Sequence, residues 1–113
     1  MNKQYSLKKS YEIERLIKLK QSVGNKYYVI YYNKCEETKI AFSINRKIGK
    51  AYFRNYNKRV TRDIIRNNFD FVKGYEMLIV IKEMSTKLNY IDKEKEILML
   101  LKQIRKDWQW KKN

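Results

Sequence analysis

An uninterrupted aliphatic run, Met77 to Ile81, constrains the fold of this chain more than any other feature. Consecutive apolar residues without a polar position are typical of a strand that is buried on both faces of a sheet. The run is far shorter than the ~20 residues that span a bilayer. It therefore predicts a central strand, Met77 to Lys82, and the rest of the chain must supply the neighbouring strands and the covering helices.

Two earlier segments predict further strands. Tyr27 to Tyr32 is aromatic and β-branched, and Lys39 to Lys47 places Ile40, Phe42 and Ile44 on one face. The polar segment between them, Asn33 to Thr38, is interpreted as a hairpin connection.

Helical spacing of apolar residues predicts three helices, over residues 10–20, 51–67 and 90–106. Ser10 is the expected N-cap of the first, and Asn89-x-x-Asp92 resembles a capping box before the last. Ser22 to Asn25 is interpreted as a break. We expect one α+β RNA-binding domain over residues 1–113, with a core at about 5–106 and a frayed basic tail at 107–113.

Composition excludes several kinds of chemistry. The chain has no His and one Cys, Cys35, which removes His-based acid–base catalysis, Cys/His zinc sites and an intramolecular disulfide. No spacing of acidic residues indicates a metal or glycosidase site. The first residues have no apolar signal region, so a cytoplasmic location is expected, without membrane attachment.

Charge points to a polyanionic partner, because 27 Lys and Arg face 12 Asp and Glu, a net +15. Residues 43–66 carry eight cations and one acid, Asp63. On a helix with ~100° per residue, six polar or basic residues of this segment fall within about 140°. They are Arg54, Asn55, Lys58, Arg59, Arg62 and Arg66. A separate arc of about 80° holds Phe53, Tyr56, Val60 and Ile64. We expect this apolar arc to dock on the sheet.

A solvated face and an anionic membrane surface are the alternatives for this basic helix. Solvated faces normally interleave acids at i±4, and those acids are missing here. A membrane helix needs its apolar stripe for lipid, whereas the strands are available to take this one. Nucleic acid is therefore the favoured partner, and at least one tyrosine of Tyr27 to Tyr32 is expected to be accessible for stacking on bases.

The segment Ser43 to Arg62 (SINRKIGKAYFRNYNKRVTR) resembles the signature of the bacterial ribonuclease P protein subunit. In that family a strand ending in Ser-Lys-Lys-x-Gly precedes a helix with Ala-x-x-Arg-Asn-Arg-x-Lys-Arg-x-x-Arg. Supporting matches are Leu7 to Ser10, Ser22 to Lys26 and Leu88 to Tyr90, so the resemblance covers roughly residues 5–106.

The resemblance implies a two-layer αβ sandwich in the order α-β-β-β-α-β-α, with a left-handed βαβ crossover and a short first strand near Gln21 to Gly24. It also implies an RNA enzyme in which the RNA subunit, with Mg²⁺, removes the 5′ leader of precursor tRNA. The protein would bind both RNAs, would be monomeric apart from RNA, would hold no metal tightly and would contribute no catalytic residue.

Site residues follow from the matching positions and, for Lys50 and Arg66, from the charge of residues 43–66. The expected contacts to ribonuclease P RNA are Arg46, Lys47, Lys50, Arg54, Asn55, Lys58, Arg59, Arg62 and Arg66. The expected leader-cleft residues are Tyr28, Tyr31, Ile13 and Ile17. The chain departs from the family pattern at Tyr56 (usually Arg), Asn45 (usually Ser) and the two first-helix isoleucines (usually Phe).

Three other functions remain as alternatives. A small basic ribosomal or RNA-assembly protein would share the basic helix and the charge. A self-contained nuclease would need a catalytic constellation, which the sequence lacks. A helix-turn-helix DNA regulator is disfavoured because two strands precede the basic helix and no paired recognition helix is evident.

Overall fold

The computed structural model describes the backbone of residues 10–112 and the side chains of residues 13–105. The strands are β1 (Ser22–Gly24), β2 (Tyr28–Lys34), β3 (Lys39–Ile44) and β4 (Tyr75–Ile81). The helices are α1 (Ser10–Lys18), α2 (Ala51–Asn67) and α3 (Tyr90–Lys112). Short 3-10 turns lie at Phe69–Phe71 and Glu83–Lys87. The order α-β-β-β-α-β-α is confirmed, including the short first strand in the segment where the residues alone indicated a break.

The four strands form one mixed sheet in the order β1-β2-β4-β3. β4 is central, as the apolar run predicted: it pairs antiparallel with β2 and parallel with β3. The predicted hairpin between β2 and β3 is therefore wrong, because β4 lies between them. The unit β3-α2-β4 is a βαβ crossover, and its handedness stays a prediction from the resemblance.

The two faces of the sheet are covered unequally. Met77, Ile79 and Ile81 of β4 point into the main core, which also holds Ile64 and Ile65 of α2 and an apolar stripe from α3. Leu78 points to the opposite face and packs against Leu16 of α1. Alternation along β4 thus places α2 and α3 on one side and α1 on the other.

The ends of the predicted elements are partly corrected. β3 ends at Ile44 instead of Lys47, and α3 continues past 106 to Lys112. At the start of α3 the Asn89 Oδ1 accepts a 2.8 Å hydrogen bond from the Asp92 backbone N–H, which is the forward half of the predicted capping box. The predicted N-cap side chain of Ser10 and the side chains of the tail lie outside the described residues.

The buried side of α2 differs from the predicted apolar arc. Tyr56 is 54% exposed, whereas Asn57 and Thr61 are only 2% and 1% exposed. Both polar side chains donate hydrogen bonds within the helix: Asn57 Nδ2 donates to the Phe53 carbonyl at 2.9 Å, and Thr61 Oγ1 donates to the Asn57 carbonyl at 2.8 Å. Because these hydrogen bonds offset the cost of burial, the helix docks on its Asn57, Thr61, Ile64 and Ile65 side and turns Tyr56 outward.

Candidate nucleic-acid interface

The outward side of α2 carries four exposed polar or basic residues, here called the α2 basic face: Asn55, Arg59, Arg62 and Arg66. The Arg62 guanidinium lies 5.6 Å from the ring centroid of Phe42, a cation–π contact that fixes its direction above β3. Arg66 Nη2 pairs with Asp63 Oδ1 at 2.6 Å. Because that pair is exposed on both sides, it leaves most of the charge of the face available to a partner.

Arg54 and Lys58 were predicted on the same face, but they lie at its rim and are half-buried. This shift follows from the docking side of the helix. Arg54 Nη1 donates to two backbone carbonyl oxygens of the preceding segment, at 2.7 Å to Gly49 and 3.0 Å to Arg46. One terminal nitrogen of Arg54 therefore fixes the loop, and the remainder of the planar fork is left to contact a partner.

That loop, here called the basic loop (residues 45–50), presents Arg46, Lys47 and Lys50, all exposed. Asn45 Oδ1 accepts a 2.8 Å hydrogen bond from the Lys47 N–H, which closes an Asx turn. Ile48 is buried and anchors the loop to the core. The Asn at position 45, where the family usually has Ser, thus has a local structural role.

The opposite face of the sheet brings two of the predicted leader-cleft residues together. Ile13 and Tyr31 pack against the buried pair Leu16 and Leu78, and Ile17 is exposed nearby on α1. Tyr28 was a wrong prediction for this cleft. Its side chain is fully buried in the main core on the other side of the sheet, so it cannot contact a partner while the protein is folded. Burial also raises the pKa of Tyr28 to about 12.

A shallow depression links the basic loop to this second face. Lys47 lines it together with Val80 and Lys82 at the ends of the parallel strands. Val80 also packs with the Leu16 and Leu78 pair. Through Val80, the depression therefore borders the cluster against which Tyr31 packs.

An ion pair between an exposed arginine and a buried carboxylate holds α1 on that face. Arg15 Nη2 lies 2.8 Å from Glu76 Oε2, and Glu76 is 2% exposed. Asn33 Nδ2 also donates to this carboxylate, at 3.2 Å. With these two donors in place, the position of α1 relative to β2 and β4 is fixed.

The sequence prediction missed a buried lysine at the α2–α3 contact. Lys93 is 6% exposed, and its Nζ donates to Asn57 Oδ1 at 3.2 Å and lies 5.9 Å from the ring centroid of Tyr56. Burial lowers the pKa of the Lys93 ammonium.

The sequence prediction also missed Tyr52, which is 73% exposed. The sequence held a signal for it, because Tyr52 lies at nearly the same helical angle as Arg59.

Within residues 13–105 no group of three His, Cys, Asp or Glu side chains is arranged to hold a metal ion. No helix in the part of the chain that the structure describes is long and apolar enough to cross a membrane.

Some arginine side chains form hydrogen bonds within the protein, and others are exposed on its surface. Arg105 donates to the backbone carbonyls of Asp70, Phe71 and Lys73, and Arg15 holds Glu76. The five arginines of the basic segment are exposed or lie at its rim. These features define a class of protein: a small basic α+β domain with a cationic helix and loop of the kind that binds nucleic acid.

Comparison with known proteins identifies the family. A family model described as Ribonuclease P matches residues 1–105 of the chain. The ribonuclease P protein component of Acholeplasma laidlawii (strain PG-8A) is 37% identical over 106 residues, which covers 90% of this chain and 91% of the relative. That of Mycoplasmopsis synoviae (strain 53) is 31% identical over 105 residues, covering 93% and 94%.

Among solved structures, the RNase P protein of Staphylococcus aureus superposes with a TM-score of 0.80 at 21% identity, covering 88% of this chain and 94% of that one, and so shows the shared fold. The chain belongs to the ribonuclease P protein family. These matches support the role of ribonuclease P protein subunit over that of a ribosomal or RNA-assembly protein.

Proposed function

We propose that this subunit binds ribonuclease P RNA through the α2 basic face and the basic loop, and that it binds the 5′ leader of precursor tRNA on the α1 side of the sheet. The supporting observation is the accessibility of Arg59, Arg62 and the loop cations in a chain of net charge +15. Arginine forks grip phosphate oxygens with two hydrogen bonds, and Asn55 can bond a ribose hydroxyl or a base edge.

The leader would lie along the surface that joins the basic loop to Tyr31. Lys47 and Lys82, beside one acid, Glu83, supply positive charge at one end, and the half-buried Tyr31 ring supplies a flat apolar contact at the other. Cations are suited to the phosphates of a single strand and an aromatic side chain to its bases. Ile17, 40% exposed, would add apolar contact from α1.

Cleavage itself is assigned to the RNA subunit with its Mg²⁺, in the cytoplasm. The contribution of this chain is electrostatic: its cations offset phosphate repulsion where the RNAs approach one another, which favours Mg²⁺ binding by the RNA. No residue of the chain is assigned to a proton transfer or to a nucleophilic step.

Reconstitution tests the proposal. Addition of the purified chain to its cognate ribonuclease P RNA should stimulate cleavage of precursor tRNA at an Mg²⁺ concentration where the RNA alone is slow. The double variant R59A/R62A should need a higher protein concentration for the same stimulation, because two phosphate contacts are lost. Absence of stimulation by the wild-type chain would overturn the proposal.

The leader site has its own measurement. Tyr31→Ala should reduce the preference of the reconstituted enzyme for precursor over mature tRNA, and Tyr31→Phe should retain it. If Tyr31→Ala discriminates the two as well as the wild type does, Tyr31 does not contact the leader.

A further inference from the structure

Two large aromatic side chains stand out on the exposed side of α2. Tyr52 and Tyr56 are 73% and 54% exposed, whereas the other aromatic side chains within residues 13–105 are buried or half-buried, apart from Tyr90 at 40%. They are four residues apart, so they occupy neighbouring positions on one side of the helix. We propose that Tyr52 and Tyr56 form a stacking site for an unpaired nucleotide of the RNA partner, an inference that rests on the proposed function.

Lys93 supports the Tyr56 ring from within the protein. Its ammonium nitrogen lies 5.9 Å from the ring centroid and is held by the 3.2 Å hydrogen bond to Asn57 Oδ1. Because Lys93 is 6% exposed, this contact is shielded from bulk water. The ring is therefore positioned in advance, and less conformational entropy is lost when a base stacks on it.

The charge around the two rings selects the partner. Asn55 and Arg59 lie beside them on the helix surface, and the acid of α2, Asp63, is paired with Arg66 at 2.6 Å. Flat aromatic faces bordered by unopposed cations suit a polyanion with exposed bases, which is an unpaired stretch of RNA. A second copy of the chain would bring another +15 to the same place and would be repelled.

Binding of two short strands measures stacking apart from phosphate contact. The probes are an oligoadenylate and an abasic strand with the same number of phosphates. The wild-type chain should bind the base-containing strand more tightly, by about fivefold or more, since one base–aromatic stack is worth roughly that factor. The double variant Y52A/Y56A, compared in a Tyr31→Ala background so that the leader site does not contribute, should lose this preference and retain its affinity for the abasic strand. The matched control, Arg59→Ala, should lower the affinity for both oligonucleotides by the same factor.

Single variants guard against a folding artefact. Tyr52 makes little contact with the core, so Tyr52→Ala should unfold at the same urea concentration as the wild type and still lose part of the preference. Tyr56→Phe should keep the preference for the base-containing strand. Tyr56→Arg restores the usual family residue; it should lose the preference, and its binding of both strands should depend more steeply on salt.

The outcomes separate the two proposals. If the wild-type chain fails to bind its cognate ribonuclease P RNA, the proposed function is wrong. If it binds that RNA, but Y52A/Y56A binds both short strands and the RNA as the wild type does, only the stacking site is wrong. Sedimentation of the wild type as a dimer that Tyr52→Ala dissociates, with unchanged RNA affinity, would make this face a contact between copies and would also contradict the inference.

Discussion

The Arg54 guanidinium donates a 2.7 Å hydrogen bond from Nη1 to the carbonyl oxygen of Gly49, the residue at which the basic loop turns into α2. The same nitrogen donates to the Arg46 carbonyl at 3.0 Å. An arginine that the family motif indicates as an RNA contact is therefore also the residue that shapes the loop carrying the other cations. Charge and geometry at position 54 can be separated experimentally.

Arg54→Lys keeps the charge but removes the guanidinium, whose Nη1 reaches both carbonyl oxygens while its other nitrogens face a partner. We expect a loss of roughly 0.5–1.5 kcal/mol of stability, the usual net value of a lost hydrogen bond, and weaker binding to ribonuclease P RNA. Urea unfolding and filter binding measure the two effects. The control is Arg59→Lys, at a position exposed on α2, which should leave stability unchanged. Equal behaviour of the two Lys variants would contradict the structural role of Arg54.

Gly49 has a φ of +63°, and a Cβ built there would lie 2.7 Å from Phe53 Cδ2. Gly49→Ala therefore adds both backbone strain and a steric clash, and it should destabilise the fold by about 1–3 kcal/mol. Gly74→Ala is the matched control: its φ is +86°, but the nearest heavy atom to the added Cβ is the Cys35 carbonyl oxygen at 4.0 Å. The midpoint temperature of thermal unfolding should be lower for Gly49→Ala than for Gly74→Ala, and the reverse order would refute this account of the turn.

Residue patterns predicted the three helices and three of the strands, and only the family resemblance indicated β1 (Ser22–Gly24); the patterns did not predict every strand pairing. The bounds of α2 were predicted at 51–67, as observed, because one amphipathic period runs through the whole segment. The hairpin between β2 and β3 was wrong because alternation reports which face a residue occupies and carries no information about which strand lies alongside. The insertion of β4 between them is a long-range pairing, Ile40 with Met77 and Ile30 with Ile79, that no local pattern records.

For the candidate site, charge predicted which side chains are exposed better than hydrophobicity did. The exposed cations of α2 and of the loop lie where the motif placed them, although Arg54 and Lys58 lie at the rim. Tyr28 failed because adjacent strand tyrosines face opposite sides of the sheet, and only one of those sides is open. Tyr56 was expected inward because it shares a helical arc with apolar residues, whereas the hydrogen-bonded Asn57 occupies the buried position.

Lys93 should give stability a measurable pH dependence. Burial lowers its pKa in the folded state below the ordinary value of 10.5, so the unfolded chain binds more protons in the window between the two pKa values. Stability contributed at this position therefore rises with pH through that window. The difference in unfolding free energy between wild type and Lys93→Met should shift in favour of the wild type from neutral pH to about pH 10.

The control for this titration is Lys102→Met, an exposed lysine on the same helix. The difference in unfolding free energy between Lys102→Met and the wild type should not change over the same pH range, since an exposed ammonium has nearly the same environment in the folded and unfolded states. A flat difference for Lys93→Met as well would show that this lysine is not desolvated.

Arg15 and Glu76 provide a test of how α1 is held. The Glu76 side chain is 2% exposed and the Arg15 side chain is 52% exposed. Arg15 Nη2 lies 2.8 Å from Glu76 Oε2. Arg15→Met leaves a buried carboxylate without this partner and should cost about 1–3 kcal/mol, below the value for a fully buried pair because water screens the arginine. Adding Glu76→Gln should recover part of the loss. The exposed pair is the comparison: Arg66→Met should change stability by less than about 0.5 kcal/mol. Additive losses at positions 15 and 76 would mean that the pair is not coupled.

The most direct test of the central claim is the salt dependence of binding to cognate ribonuclease P RNA. Each lost phosphate contact should reduce the slope of log affinity against log salt by about 0.7–0.9, so R59A/R62A should lower it by about 1.5. Lys18→Ala, at an exposed lysine of α1 on the other side of the sheet, should leave the slope unchanged. A wild-type slope in R59A/R62A, together with a reduced slope in Lys18→Ala, would show that the RNA subunit binds elsewhere on the protein.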